Sequence, residues 1–250
     1  MHLLARAVSC GLNLQTHTPV LSISPSTSHG TKKWSAVTPR GPITASKVIF
    51  ATNGYTAGLL PEYTTKIVPS KGICCRIVPS PTSTHPSLTN TYCLRLPNGG
   101  FDYLIPRNDG SIIVGGARST FFKDHENWYN NTDDSTLIKP AEKYFDNFMQ
   151  RNFIGWEESG ARVDQIWTGI MGYTSDLLPS VGEVPGKEGC FIAAGFVGHG
   201  MPVIWLTMKG IAEMVRSGNS FEEVRIPRIY KTTKERLESD LDLLGPIKKG

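Results

Sequence analysis

The sequence predicts a mixed α/β (α+β) fold in which an antiparallel sheet is inserted between two buried α/β segments. Three observations carry this expectation. Residues 47–51 (KVIFA) and 190–195 (CFIAAG) are short, unbroken apolar runs, the pattern of strands covered on both faces. The second run enters a glycine-rich turn, Phe196-Val197-Gly198-His199-Gly200-Met201, followed by Pro202, a favoured opening residue of helices. Between the two runs, over residues 66–162, the pattern changes to strand and hairpin signals.

Taken in order, residues 1–8 read as the back half of a helix closed by Gly11. Residues 13–23 suit a strand, followed by a Ser/Thr/Pro/Gly-rich turn and a second strand near 34–38. The KVIFA run exits through Thr52-Asn53-Gly54-Tyr55 toward a helical stretch stopped by Pro61. Residues 67–78 and 92–96 suit strands. Residues 101–106 and 111–115 suit a hairpin, because Asn108-Asp109-Gly110 supplies the positive φ angles of a tight turn. Residues 135–151 are polar with helical potential. After Pro202, apolar residues from Val203 to Val215 fall on more than one helix face, predicting a buried helix ended by Ser217-Gly218. Within the charged tail, residues 232–244 suit an amphipathic helix.

Composition excludes several classes. The 250 residues are 39% hydrophobic and 19% charged, which suits a globular chain. The +4 net charge is interspersed, so nothing supports nucleic-acid binding. Five cysteines, an odd number without a CxxC, predict reduced thiols in an intracellular, cytoplasmic protein, with no disulfide framework or metal site. No run reaches the roughly 18 apolar residues of a membrane span. The opening residues lack the layout of a signal peptide, and a start in mid-helix is expected of a truncated chain.

Chemistry concentrates at the glycine turn after CFIAAG. Glycines admit close approach to the backbone, and a helix N-terminus offers free N–H groups with a positive dipole end. The same residues also suit a tight turn around a satisfied histidine. A phosphate-cradling GxGxxG is absent, since Val203 stands where a third glycine would follow Gly198-His199-Gly200.

Three ordered segments carry a family resemblance: Ala51-Thr52-Asn53-Gly54-Tyr55, then the run from Ile166 through Gly169, Asp176 and Pro179 to Gly182, then Ala193-Ala194-Gly195-Phe196-Val197-Gly198-His199-Gly200-Met201. In this order they resemble the FAD-dependent D-amino-acid oxidase, glycine oxidase and sarcosine oxidase superfamily, in its fungal type, over residues 3–237. The resemblance implies a Rossmann-like FAD-binding domain, incomplete for want of the N-terminal GxGxxG segment, split around an antiparallel β-sheet substrate domain. Residues 1–65 and 163–225 would form the former and 66–162 the latter, with 226–250 as a tail.

It further implies that Gly198, His199, Gly200 and Met201 lie against the flavin ring. Val20 would approach the adenine, and Ala51, Thr52, Asn53 and Gly54 the adenosine–pyrophosphate side. Gly169 stands where covalent sarcosine oxidases carry a cysteine, so the FAD would be noncovalent. The implied reaction moves a hydride from an amine-bearing carbon of a small-molecule amine or amino acid to the flavin. A substrate carboxylate calls for an arginine; Arg76, Arg107, Arg118 and Arg162 are candidates, with Arg107 and Tyr103 placed first. Asp176 and Pro179 are expected to shape their loop. The lysine that such oxidases use toward oxygen falls near Ile113, which leaves the electron acceptor open. The alternative is a non-catalytic remnant that folds in part and holds no flavin. The chain as it stands is expected to show little or no activity and to aggregate through the unpaired strand edges of KVIFA and CFIAAG.

Overall fold

The computed structural model describes residues 2–28, 31–97 and 100–244. Helix α1 (His2–Ser9) buries none of its residues, and Gly11 follows it with φ +98°. Strands β1 (Ser22–Ser28), β2 (Thr31–Thr38) and β3 (Gly41–Ala45) form an antiparallel meander. The Ser/Thr-rich stretch expected as a turn is itself strand β1, and residues 13–21 are irregular. Cross-strand pairing with β2, from Ser22 opposite Val37 onward, outweighs the turn propensity of serine and proline.

Strand β4 (Val48–Phe50) leads into two 3₁₀ turns, Asn53–Gly58 and Pro61–Tyr63, in place of the expected helix start. The main sheet then follows: β5 (Ile67–Val78), β6 (Tyr92–Arg95), β7 (Phe101–Pro106), β8 (Ile112–Gly115) and, after α2 (Arg118–Phe121) and α3 (Phe148–Asn152), β9 (Arg162–Thr174). Its order is β6-β7-β8-β5-β9, antiparallel throughout. Residues 135–151 hold only a short 3₁₀ turn and the start of α3; Ile138, Ala141, Phe145 and Phe148 enter the core beneath this sheet, but Asn147 at φ 52° interrupts the helical path before α3. After a fully buried start, strand β5 alternates from Lys71 onward: Ile73, Cys75 and Ile77 enter that core, while Gly72, Cys74 and Arg76 face the other way.

Strands β10 (Ser180–Glu183) and β11 (Cys190–Ala194) complete a smaller sheet of order β10-β11-β4, with β11 parallel to β4. All five residues of β11 are buried, as an apolar run predicts. Helix α4 (Ile204–Ser217) starts two residues after Pro202, since residues 201–203 form a turn in which Val203 and Ile204 both donate to the Gly200 carbonyl. Its expected burial holds for one face only. Thr207, Gly210, Ile211 and Met214 are buried, whereas Trp205 and Leu206 are 66% and 63% exposed. In the tail, helix α5 spans only Lys234–Glu238, and residues 245–250 lie outside the described residues.

Candidate active site

The three sequence segments singled out above meet at one point. Asn53, with φ 44°, turns its side-chain oxygen to accept from the N–H groups of Gly195 (3.0 Å) and Phe196 (3.1 Å). Gly54 packs so tightly on the backbone after Ile170 that a Cβ there would stand 2.7 Å from the Met171 carbonyl oxygen. Val197 N–H donates to the Gly172 carbonyl at 2.8 Å. The end of β4, the end of β9 and the turn after β11 are thus fastened into one unit.

That unit roofs a cavity of about 580 Å³, whose floor is one face of the main sheet. Val197, Gly198 and His199 line it from above. On the floor a single row crosses five strands: Cys93, Tyr103, Gly115, Cys74 and Trp167 are successive cross-strand partners and share a face. Gly115 opens a slot in this row. A Cβ there would stand 2.2 Å from the Tyr103 ring and hydroxyl, so its absence lets the tyrosine lie across β8 and reach Cys74 Sγ at 2.9 Å. Burial is the main cause that pushes up the pKa of both groups; their mutual hydrogen bond raises the Tyr103 value further and lowers that of Cys74. Both are therefore neutral at ordinary pH. Phe101 and Tyr173, at even spacing from Tyr103 and Trp167 along their strands, extend the same face.

Arg118 supplies the cavity's guanidinium. It follows a turn in which Ala117 takes φ 55° and donates its N–H to Asp102 Oδ1 at 2.8 Å; Tyr144 donates to the other oxygen of this fully buried carboxylate. The guanidinium lies 4.8 Å from the Phe122 ring centroid and 5.2 Å from that of Trp128. Among the described residues, no carboxylate lies within ion-pair distance of it.

The remaining sequence candidates are placed as follows. Tyr103, Gly169, Gly198 and His199 line the cavity. Arg107 does not; its side chain is 53% exposed and lies 3.9 Å from Asp109. Arg76 bonds Asp164, and Arg162 is a further exposed partner of that aspartate. Gly200 follows the lining residues of the turn, and Met201 points to solvent with 92% exposure. Thr52 Oγ1 bonds Thr56 Oγ1 at 2.9 Å, while Val20 and Ala51 are exposed away from the cavity. Asp176 accepts from the Leu178 N–H and pairs with Arg236 at 2.7 Å, a loop-shaping role as expected. Sequence reading passed over Trp167, Phe101, Cys74 and Gly115 as site residues. Their even spacing on paired strands is visible in the sequence, but the register that aligns them is not.

The turn has the donors an electron-rich ring edge requires. Among the described residues, the N–H groups of Gly198, Gly200 and Met201 have no protein acceptor, and they precede the fourteen-residue helix α4. Among the described residues, no cluster of His, Cys, Asp or Glu could hold a metal, and no helix is long and apolar enough to cross a membrane.

A split α/β unit roofing an antiparallel sheet, with a glycine turn and helix start over the gap, defines the class of flavin-dependent oxidoreductases. Residues 1–214 match the family model described as FAD dependent oxidoreductase (DAO), and the chain belongs to that family. Among solved structures, glycine oxidase from Geobacillus kaustophilus is 22% identical, with a TM-score of 0.67 over 91% of this chain and 55% of that one. L-proline dehydrogenase from P. horikoshii is 21% identical, with a TM-score of 0.62 over 91% of this chain and 56% of that one. L-amino acid deaminase from Proteus myxofaciens in complex with anthranilate is 18% identical, with a TM-score of 0.63 over 91% and 58% of the two chains. The chain thus spans little more than half the length of these structures. No curated protein matches it.

Proposed function

We propose that this chain carries the substrate-binding sheet and the flavin-facing turn of a noncovalent FAD-dependent oxidoreductase acting on an amine or amino acid. The observation that carries this reading is the cavity between them: one wall is the turn from Gly198 to Met201, where the N–H groups of Gly198, Gly200 and Met201 have no acceptor among the described residues, and the facing wall holds Tyr103 and Arg118. FAD bound there supplies a two-electron acceptor for the carbon that bears the substrate nitrogen.

The chain's own residues do the rest. The N–H groups of Gly198, Gly200 and Met201, backed by the dipole of α4, stabilise negative charge at the roof. Arg118, rather than the solvent-facing Arg107, binds a substrate carboxylate through its paired N–H groups. Neutral Tyr103 offers a hydroxyl hydrogen bond, and its contact with Cys74 fixes its direction. Gly169 presents no side chain at the cavity, in keeping with a flavin held without a covalent bond. Val20 and the 51–54 segment are the proposed adenosine side, and residues 66–162 the proposed substrate domain.

The test mixes the purified chain with FAD, desalts it and records the visible spectrum. Retained visible absorption of the flavin, a yellow protein after desalting, is the expected result. A colourless protein overturns flavin binding by these 250 residues and favours the reading in which the chain alone is non-catalytic.

A further inference from the structure

Some rings of this protein pair with one another: Phe122 stacks on Trp128 at 5.3 Å, Tyr144 meets Phe145 at 5.4 Å, and Tyr92 meets Phe153 at 5.9 Å. Trp128 and Tyr92 reach the cavity wall with these partners in place. Four other rings at the cavity have no such partner. Phe101, Tyr103, Trp167 and Tyr173 share one face of the main sheet and line the cavity, yet no ring among the described residues lies in stacking or edge contact with any of them. Phe101 and Trp167 remain 47% and 36% exposed. Four large rings left open together in one concave site suit a flat apolar occupant.

The charge pattern narrows the occupant. Among the described residues, the Arg118 guanidinium on the cavity wall has no carboxylate partner, and no Asp or Glu lines the cavity. The site therefore attracts an anion and gives no counter-charge to an ammonium, so it favours a bound amine in its neutral form.

We propose that the preferred substrates of this site are amino acids with an aromatic side chain, the carboxylate on Arg118 and the ring among Phe101, Tyr103 and Trp167. This rests on the oxidoreductase reading above and specifies its substrate class. The volume of about 580 Å³ lies within the range of sites that enclose small ligands.

Calorimetric titration of the whole chain with 3-phenylpropionate and with propionate, each with and without FAD, tests the proposal. Phenylpropionate is expected to bind at least about tenfold more tightly than propionate. Arg118→Met should weaken both acids about tenfold or more, with Arg118→Lys recovering part of the loss. Trp167→Ala, at a half-open position on the cavity face, should weaken only the phenyl compound. Equal affinities for the two acids, or an unchanged affinity in Arg118→Met, overturn the proposal. If flavin alone occupies the rings, the two acids become equal once FAD is bound, which also overturns it. The visible spectrum of the same samples separates the two readings. A colourless chain that keeps the phenyl preference supports the substrate class while refuting flavin binding by this chain. A yellow chain without the preference does the reverse.

Discussion

At the scale of single residues, the site depends on what is absent at Gly115. A methyl group there would occupy the space of the Tyr103 ring, and both neighbours are fixed by strand pairing. Gly115→Ala is expected to cost roughly 1–3 kcal/mol of stability by overpacking and to break the Tyr103–Cys74 contact. Urea denaturation reads the first effect, and faster alkylation of Cys74 reads the second; an unchanged alkylation rate would show that the slot does not position the tyrosine. Asp133 offers a test in pH. Hydrogen bonds from Ser135 Oγ, then Thr136 Oγ1, then the Ser135 N–H hold its pKa down to about 2. A folded value below the unfolded one means stability that is complete above about pH 4 and lost as pH falls through about 2. The difference in denaturation midpoint between the parent and Asp133→Asn should therefore be constant from neutral pH to about 4 and vanish near 2. Residue chemistry was partly legible in the sequence. Tyr103 could be read because its strand is regular. Arg118 could not be ranked above Arg107, because Gly116 at φ 130° and Ala117 at φ 55° reset the chain direction just before it, and periodicity does not survive such a turn.

At the scale of elements, strong local patterns predicted existence well and extent poorly. The buried run CFIAAG became β11, and the Asp-Gly turn closed the β7–β8 hairpin, since each signal is complete within a few residues. The helix expected over 232–244 spans only Lys234–Glu238, because Ser239 turns extended at φ −64° and ψ 136°; within it, Arg236 reaches partners outside the helix. Its guanidinium bonds Asp176 and the carbonyls of Leu178, Pro179, Tyr230 and Lys231. This one side chain fastens the tail to the loop after β9, using donors in a planar array that lysine lacks. Arg236→Ala and Arg236→Lys should both destabilise the fold, by roughly 2–3 kcal/mol for the lost charge-assisted bonds, and by similar amounts. Chemical denaturation decides it. Full recovery by lysine would mean that charge alone, not the fork of donors, holds the tail.

At the scale of the whole molecule, the mixed α/β class with an antiparallel sheet follows from the sequence patterns, but those patterns overstate how much of the apolar surface is covered. Helix α4 has apolar residues on two faces. Only one is spent on the smaller sheet, where Gly210 admits Ile226 so closely that a Cβ would stand 2.6 Å from its side chain. Trp205 and Leu206 are left to solvent, and Leu3, Leu4 and Val8 of α1 are exposed as well. Strand β4 ends the sheet order β10-β11-β4 with one edge unpaired by any strand among the described residues. Exposed apolar surface and an open edge both favour contacts between copies. The 250-residue chain should accordingly self-associate as its concentration rises. Trp205→Glu combined with Leu206→Glu should reduce that association with little change in stability, because exposed substitutions typically fall within about 0.5 kcal/mol. Light scattering over a concentration series, paired with a denaturation curve, distinguishes the causes. Unchanged association with an unchanged midpoint would move the blame from α4 to the β4 edge. Reduced association at equal stability would show that the uncovered helix face, legible as apolar in the sequence but not as open, governs how this chain behaves in solution.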